Sequence, residues 1–406
     1  MCPSSTSSSD RGRSFYLARR VILFALPLVL GALLIEAVLL RTGEAWPVAT
    51  AVARQSGLSE FLYGRQYFAQ QFNLYKSAIL RLRRPGVIAL GSSRVMQFRD
   101  FLFYPQANSF YNCGGMIQTD ADIAAFAEAV RSGSLPRPSV LILGIEAWWL
   151  KPETRRNTWI GESNAHDSAF RFADHVRAAR AVLTDRKFPW WGALTGRINT
   201  SPAYHYPAFG LAALQHGDGE RQDGSHLYTM AVVEEERDSS YRDREKPPVI
   251  ERVRGSFHQF LPADQLDPAR VQGLLSALET LRTAGTEVVT FEPPFSSVVL
   301  DALNEARAGW WVDYRDRLPD RLRADGFICL GVTCPKDFGL DDTYMLDGFH
   351  AGEVLDSYLL ERLVQLAGSR SRLSVVDSGH LRRLRERPGV LPFAFDPPGA
   401  TRRIGP

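Results

Sequence analysis

Cysteine is scarce in this chain, with four residues in 406, and that excludes a disulfide framework as the source of stability. Metal-ligand spacing is lacking too: His166, His205 and His216 have neither an i, i+4 histidine partner nor the paired carboxylates of a zinc site. No metal or cofactor is expected. No internal repeat is visible. A composition of 45% hydrophobic and 23% charged residues suits neither a disordered chain nor a polytopic membrane protein. Net positive charge is missing from the middle. The whole chain carries +3, residues 1–20 alone carry +3 and residues 368–406 carry +5, which leaves −5 on the residues between them. A region of that sign argues against a nucleic-acid-binding face, which needs clustered basic surface. Long hydrophobic runs are lacking as well, with one exception.

The exception is VILFALPLVLGALLIEAVLL, Val21–Leu40, whose one ionisable group is Glu36. At about 1.5 Å per residue it spans roughly 30 Å, the thickness of a bilayer's hydrocarbon core. Arg11, Arg13, Arg19 and Arg20 precede it and Arg41 follows, so the positive-inside rule places residues 1–20 in the cytoplasm as a basic tail. The alternative is a cleaved signal peptide; the run exceeds the usual h-region and no clear A-x-A site follows it. Glu36 lies near the outer end, within reach of the interface. The expected topology is a single-pass protein of the cytoplasmic (inner) membrane with its bulk outside, in a periplasm where the cell has one. In that compartment Cys329 and Cys334 either close a small loop or are a buried strand thiol and an unrelated loop thiol, and Cys113 is expected to be buried.

Residues 41–84 read as an amphipathic helical stalk, with Phe68, Phe72 and Tyr75 at helical spacings. Short apolar runs bounded by turn formers follow: Val87–Leu90 before GSSR, Val140–Leu143 before GIE, Val288–Phe291 before EPP, and Phe327–Leu330 before GVT. Such runs mark buried parallel strands. Helical patterns lie between and after them at Asp120–Arg131, Asp267–Ala284 and Gly352–Leu366. Strands alternating with helices predict an α/β domain over 85–367 built on a doubly wound, mostly parallel sheet, with active groups on the loops after the strand ends. Residues 151–260 are too long for a crossover. They carry Trp159, Trp190, Trp191, the stretch GDGERQDGSH and the charge run VVEEERDSSYRDREK, and are read as an inserted subdomain or lid. Residues 368–406 are expected to be a basic flexible tail.

Two segments carry chemistry. IALGSSRV, residues 88–95, takes a strand into a tight Gly-Ser-Ser turn; MLDGFHAGEV, residues 345–354, puts Asp-x-x-His just before a helix. Ester chemistry needs a hydroxyl nucleophile, an imidazole base and a carboxylate that orients the imidazole. One loop can supply base and orienter, and a serine after a parallel strand sits at the same end of the sheet.

By these motifs the chain resembles the SGNH hydrolase superfamily, and within it the membrane-anchored branch of D-alanine-transfer and alginate O-acetylation proteins. The resemblance covers about residues 85–150 and 285–367. It implies the SGNH (flavodoxin-like) fold, with Gly91-Ser92-Ser93-Arg94 as the first block and Ser93 as nucleophile. Asp347-Gly348-Phe349-His350 is the last block, with His350 as base and Asp347 as its orienter. An oxyanion-hole glycine is expected within Tyr111–Gly115, assigned to Gly114, whose backbone N–H joins that of Ser93, with Asn112 as a further donor. The third block, Gly-x-Asn-Asp in the superfamily, falls at Gly144-Ile145-Glu146-Ala147, where Glu146 replaces the oxyanion-donating Asn. The resemblance implies an extracytoplasmic serine esterase or O-acyltransferase acting on acyl esters of a cell-surface polysaccharide, supplied by a membrane-bound acyltransferase partner. The alternative is a non-catalytic SGNH-like glycan-binding or assembly component.

Other residues have two readings each. Arg94 binds an anionic acceptor or pairs with a surface acid. Trp148 and Trp149 form a sugar-stacking platform or pack in the core. Glu292 lines the pocket or serves the turn of Glu292-Pro293-Pro294. His226 and His258 are expected to be structural or surface histidines.

Overall fold

In the computed structural model the chain is described over residues 8–58, 60–67, 72–152, 172–186, 188–197, 207–228 and 249–387, and at 390, 392, 394 and 395. In chain order the elements used below are α1 (Ser8–Thr42), α2 (Val48–Ser56), β1 (Leu62–Tyr63), α3 (Phe72–Arg83), β2 (Val87–Gly91), β3 (Phe110–Gly114), α4 (Asp120–Arg131) and β4 (Val140–Gly144). They continue through α5 (Phe172–Thr184), α6 (Trp190–Thr195), β5 (Ala208–Phe209), β6 (Gly219–Arg221), β7 (His226–Leu227) and α7 (Pro268–Thr283). The last are β8 (Glu287–Phe291), α8 (Ser297–Ala306), β9 (Ile328–Leu330), α9 (Glu353–Ala367) and α10 (Ser378–Arg385).

Five strands form a parallel sheet in the order β3-β2-β4-β8-β9. The central strands β2 and β4 run apolar without polar alternation because both faces are covered. The two-residue period nonetheless divides them. Ile88, Leu90, Leu141, Leu143 and Val288 join one apolar cluster with Ile123 and Phe126 of α4 and Leu274 and Leu278 of α7. Val87, Ala89, Val140, Ile142 and Val289 join another with Leu355, Leu359 and Leu360 of α9. Each such fully buried leucine contributes roughly 1.5–3 kcal/mol. Helix starts are chemically marked: Asp267 accepts from the Ala269 N–H at the head of α7, and Thr119 with Asp122 caps α4. The strand β3 is absent from the sequence reading because FYNCG breaks the apolar run with Asn112, Cys113 and Gly114.

A second, four-stranded sheet has the order β5-β1-β6-β7. It corrects the expected stalk over 41–84. That stretch comprises α2, β1 and α3, its Val52, Phe61, Tyr63, Tyr75 and Ile79 are buried in the main core, and β1 pairs with β5 and β6 from the 151–260 insertion. Amphipathic spacing was real, but the apolar face is spent on the domain rather than on a free helix. Phe68 lies outside the described residues, as do Trp159, His166, His205 and the charge run.

The expected flexible tail is also corrected over its first part. Leu373, Val376, Leu381 and Leu384 are buried in the same cluster as α9, and Arg382 and Arg385 of α10 pair with Glu361. An i, i+3 leucine pair and basic side chains opposite one carboxylate dock this segment. Residues 396–406 lie outside the described residues.

Among the described residues one helix is long and apolar enough to cross a membrane, over Phe15–Thr42 in α1. Its side chains stand exposed through Leu34, Phe24 at 77%, whereas Val38 and Leu39 are fully buried. These last turns seat against Ala178 and Val182 of α5 and Ala193 of α6, and the Glu44 carboxylate beyond them accepts the N–H groups of Gln66, Tyr67 and Leu211. Cys113, Cys329 and Cys334 are all buried free thiols. Burial pushes Cys113 up to about 12 and Cys329 to about 11.

Candidate active site

Ser93 follows directly from β2. The chain turns because Ser92 caps a short 3₁₀ turn, Ser93–Val95, its Oγ accepting from the Arg94 N–H at 3.1 Å. Gly91 allows the turn to fold back: a Cβ there would lie 2.4 Å from Val95 Cγ2 and 3.2 Å from the Gly144 carbonyl oxygen. His350 arrives from the far end of the chain, on the loop between β9 and α9. The two meet with Ser93 Oγ and His350 Nε2 2.9 Å apart. Asp347 Oδ2 lies 2.8 Å from His350 Nδ1, and Asp347 Oδ1 accepts the N–H groups of Phe349 at 2.6 Å and His350 at 2.7 Å.

This arrangement sets the proton positions. With Asp347 taking the Nδ1–H of His350, Nε2 is left to accept from the Ser93 hydroxyl. Burial opposes the charge on Asp347, but the imidazole of His350 and the two backbone N–H groups outweigh it and hold the carboxyl down at about 2. Asp347 is therefore ionised wherever the protein is folded in ordinary buffer. A hydroxyl in contact with a properly oriented base is the arrangement required for nucleophilic attack.

Of the expected oxyanion donors, Gly114 and Asn112 are placed differently. The Gly114 N–H donates to Asn112 Oδ1 at 2.6 Å, and Asn112 Nδ2 donates to the carbonyls of Val95 and Phe98, each at 2.9 Å. Asn112 is fully buried, so its amide cross-braces β3 to the segment after Ser93 instead of facing a reacting group. The Gly115 N–H is engaged with the carbonyls of Gly91 and Ser92. The Ser93 N–H makes no hydrogen bond among the described residues, so it is the backbone donor at this turn with capacity for an oxyanion.

Behind the triad lies an ion pair whose role the sequence reading did not foresee. Arg94 is 4% exposed. Its Nη1 donates to Glu146 Oε2 at 2.6 Å, its Nε to the Phe349 carbonyl at 2.9 Å, and its Nη2 to the carbonyls of Pro293 and Pro294 at 2.6 and 2.7 Å. Ser92 Oγ donates to the other Glu146 oxygen at 2.5 Å. The partner of Arg94 is thus an acid, but a buried one. Three loops at the ends of β2, β4 and β8 are tied to the residue before His350 through one guanidinium, whose rigid fork suits this task. The opposite charges after two strands, Arg94 and Glu146, stand in the sequence, but nothing local records their pairing.

The remaining candidates fall into place around this centre. Trp149 is buried in the core, while Trp148 is partly exposed, edge-on to Phe349 and Phe260. Glu292 is buried, and burial raises its pKa well above the usual carboxylate range. Tyr228 bridges His226 and His350, with ring centroids at 5.0 and 6.4 Å. His226 lies 2.9 Å from Glu220 and 3.6 Å from Asp218. Burial works against its charge, but those carboxylates raise it to about 9. It belongs to a charged network with Lys76, which meets Glu220 at 3.1 Å and donates to the Gly114 carbonyl. His258 has a left-handed backbone at φ 54° and begins a short 3₁₀ turn. No protein-family model matches this chain, and no curated protein matches it.

Proposed function

We propose that the chain is an extracytoplasmic serine esterase or O-acyltransferase of the SGNH type, acting on acyl esters of a cell-surface polysaccharide. The observation that carries this is the contact of Ser93 Oγ with His350 Nε2 at 2.9 Å, backed by Asp347 at 2.8 Å. Ser93 Oγ attacks the ester carbonyl as His350 takes its proton, and the oxyanion meets the Ser93 N–H. The C–O bond to the leaving alcohol breaks, and His350 returns the proton to that alcohol. Water or a sugar hydroxyl then attacks the acyl-enzyme with its proton passing to His350; the acyl C–Oγ bond breaks and His350 returns that proton to Ser93 Oγ. The parallel sheet with helices on both faces supports the doubly wound SGNH fold, and the placement of Ser93 and His350 at one end of it accords with ligand binding beyond strand C-termini.

The apolar part of α1 is read as a transmembrane helix with a cytoplasmic N-terminus, leaving the domain in the periplasm. Burial of Val38 and Leu39 in the domain favours a retained anchor over a cleaved signal peptide. An anchored enzyme suits a donor delivered by a membrane-bound acyltransferase. One observation favours a second reading, an SGNH-like glycan-binding or assembly component without catalysis: Glu146 stands where an oxyanion donor is expected, and the donors of Gly114 and Asn112 are consumed. Losing one oxyanion donor costs roughly 10²–10³ in rate.

Labelling of the full-length protein by a fluorophosphonate separates the two. Covalent labelling of wild type that vanishes in Ser93→Ala supports the enzyme. A folded wild type that stays unlabelled, together with a Ser93→Ala strain that keeps normal polysaccharide acylation, supports the binding component.

A further inference from the structure

We propose that a cavity beside the domain end of α1 binds the headgroup of an anionic phospholipid. The inference rests on the reading of α1 as a membrane helix. The cavity measures about 880 Å³, within the roughly 300–1,000 Å³ of ligand pockets. Phe188, Leu211 and Tyr67 are among the residues that line it. Phe188 and Leu211 belong to the apolar cluster that holds Val38 and Leu39 of α1, and Tyr67 packs against that cluster. The cavity and the socket of the membrane helix therefore share a wall, which sets the cavity at the depth where lipid headgroups lie.

The surrounding segment has the chemistry of a membrane interface. Residues 172–197 carry Arg177, Arg180, Arg186, Lys187 and Arg197 against Asp174 and Asp185, in a chain whose middle is otherwise acidic. Its exposed apolar side chains are Val176 at 49%, Leu183 at 61% and Trp191 at 71%. Basic residues interleaved with exposed Trp and aliphatic groups mark an element lying in the headgroup layer. Both α5 and α6 contact α1, which holds them at its exit. Arg177 and Arg180, one turn apart on α5, both line the cavity. Arg177 Nη2 also meets Asp174 at 2.8 Å, and the acid among the lining residues, Asp185, accepts from Gln215. The lining itself therefore carries one net positive charge, two guanidinium groups against one carboxylate, with Asp174 pairing Arg177 from outside the lining. Glu44 sits behind the wall, facing the N–H groups of Tyr67 and Leu211 rather than the cavity.

The test titrates short-chain dihexanoyl-phosphatidylglycerol into the full-length protein in nonionic detergent, read by calorimetry. Saturable binding is expected, weaker by roughly tenfold or more for dihexanoyl-phosphatidylcholine and for the Arg177→Gln/Arg180→Gln variant. Inorganic phosphate should not displace the lipid. Equal binding of the two lipids overturns the proposal, as does a folded double variant that binds like wild type. Displacement by equimolar phosphate also overturns it, by showing a site for the free anion. Alkaline carbonate extraction of membranes tests α1 separately. Release of the chain would refute the membrane reading, while the detergent titration still reports on the cavity.

Discussion

The guanidinium of Arg94 meets the carboxylate of Glu146 at 2.6 Å, and both side chains are almost wholly buried. The same guanidinium holds the carbonyl of Phe349, whose neighbour is His350, while Ser92 beside Ser93 holds Glu146. Loops that come from opposite ends of the sequence are thereby tied to one another from behind.

Breaking this pair by Glu146→Ala or Arg94→Ala leaves an uncompensated buried charge, at a cost of about 3–5 kcal/mol. Thermal melting of each variant should show that loss. The milder Arg94→Lys keeps the charge but loses the fork. It should stay folded and react with a fluorophosphonate more slowly than wild type. A wild-type rate in folded Arg94→Lys would show that the fork does not position the triad.

Asp347→Asn removes the acceptor that selects the Nδ1–H tautomer of His350. Labelling of Ser93 should slow by roughly 10⁴-fold, and melting temperature at neutral pH should fall, since the ionised carboxylate's contribution to stability is lost. An unchanged rate would remove Asp347 from the relay.

The charge on His226 gives a pH signature. Its pKa is raised from 6.5 to about 9 by Glu220 and Asp218 against the opposing effect of burial. A raised pKa contributes stability that is fully present below about 6.5 and is lost as pH rises through 9. Melting temperature should therefore fall between these values, and His226→Gln should flatten that slope. For Asp347, lowered from 3.8 to about 2, the sign is opposite: its contribution is present above 3.8 and lost as pH falls toward 2.

A chain beginning at residue 45 lacks Val38 and Leu39, each fully buried, and also Glu44, which accepts three N–H groups. Each lost apolar side chain costs roughly 1.5–3 kcal/mol. Such a chain should melt well below one that begins at residue 35. Equal melting would show that the end of α1 is not part of the domain.

The apolar span of α1, four of the five parallel strands and the Ser93, Asp347 and His350 candidates were legible in the sequence. Each depends on a local signal: an uninterrupted run, an apolar stretch ended by glycine or proline, or a motif within four residues. The strand β3 was hidden because Asn112 and Gly114 interrupt its apolar run, and their meaning lies in contacts with Val95 and Phe98. Docking of 41–84 and of 373–385 was hidden for a related reason. An amphipathic helix shows that it has an apolar face, while what covers that face is settled by packing with distant segments. Two outcomes belonged to tertiary structure alone. One is the spending of the Gly114 and Asn112 donors within the fold. The other is the pairing of Arg94 with Glu146, which lie 52 residues apart. Hydrogen-bond donors and buried charges are allocated by whichever groups the folded chain brings within about 3 Å, and no local pattern records that allocation.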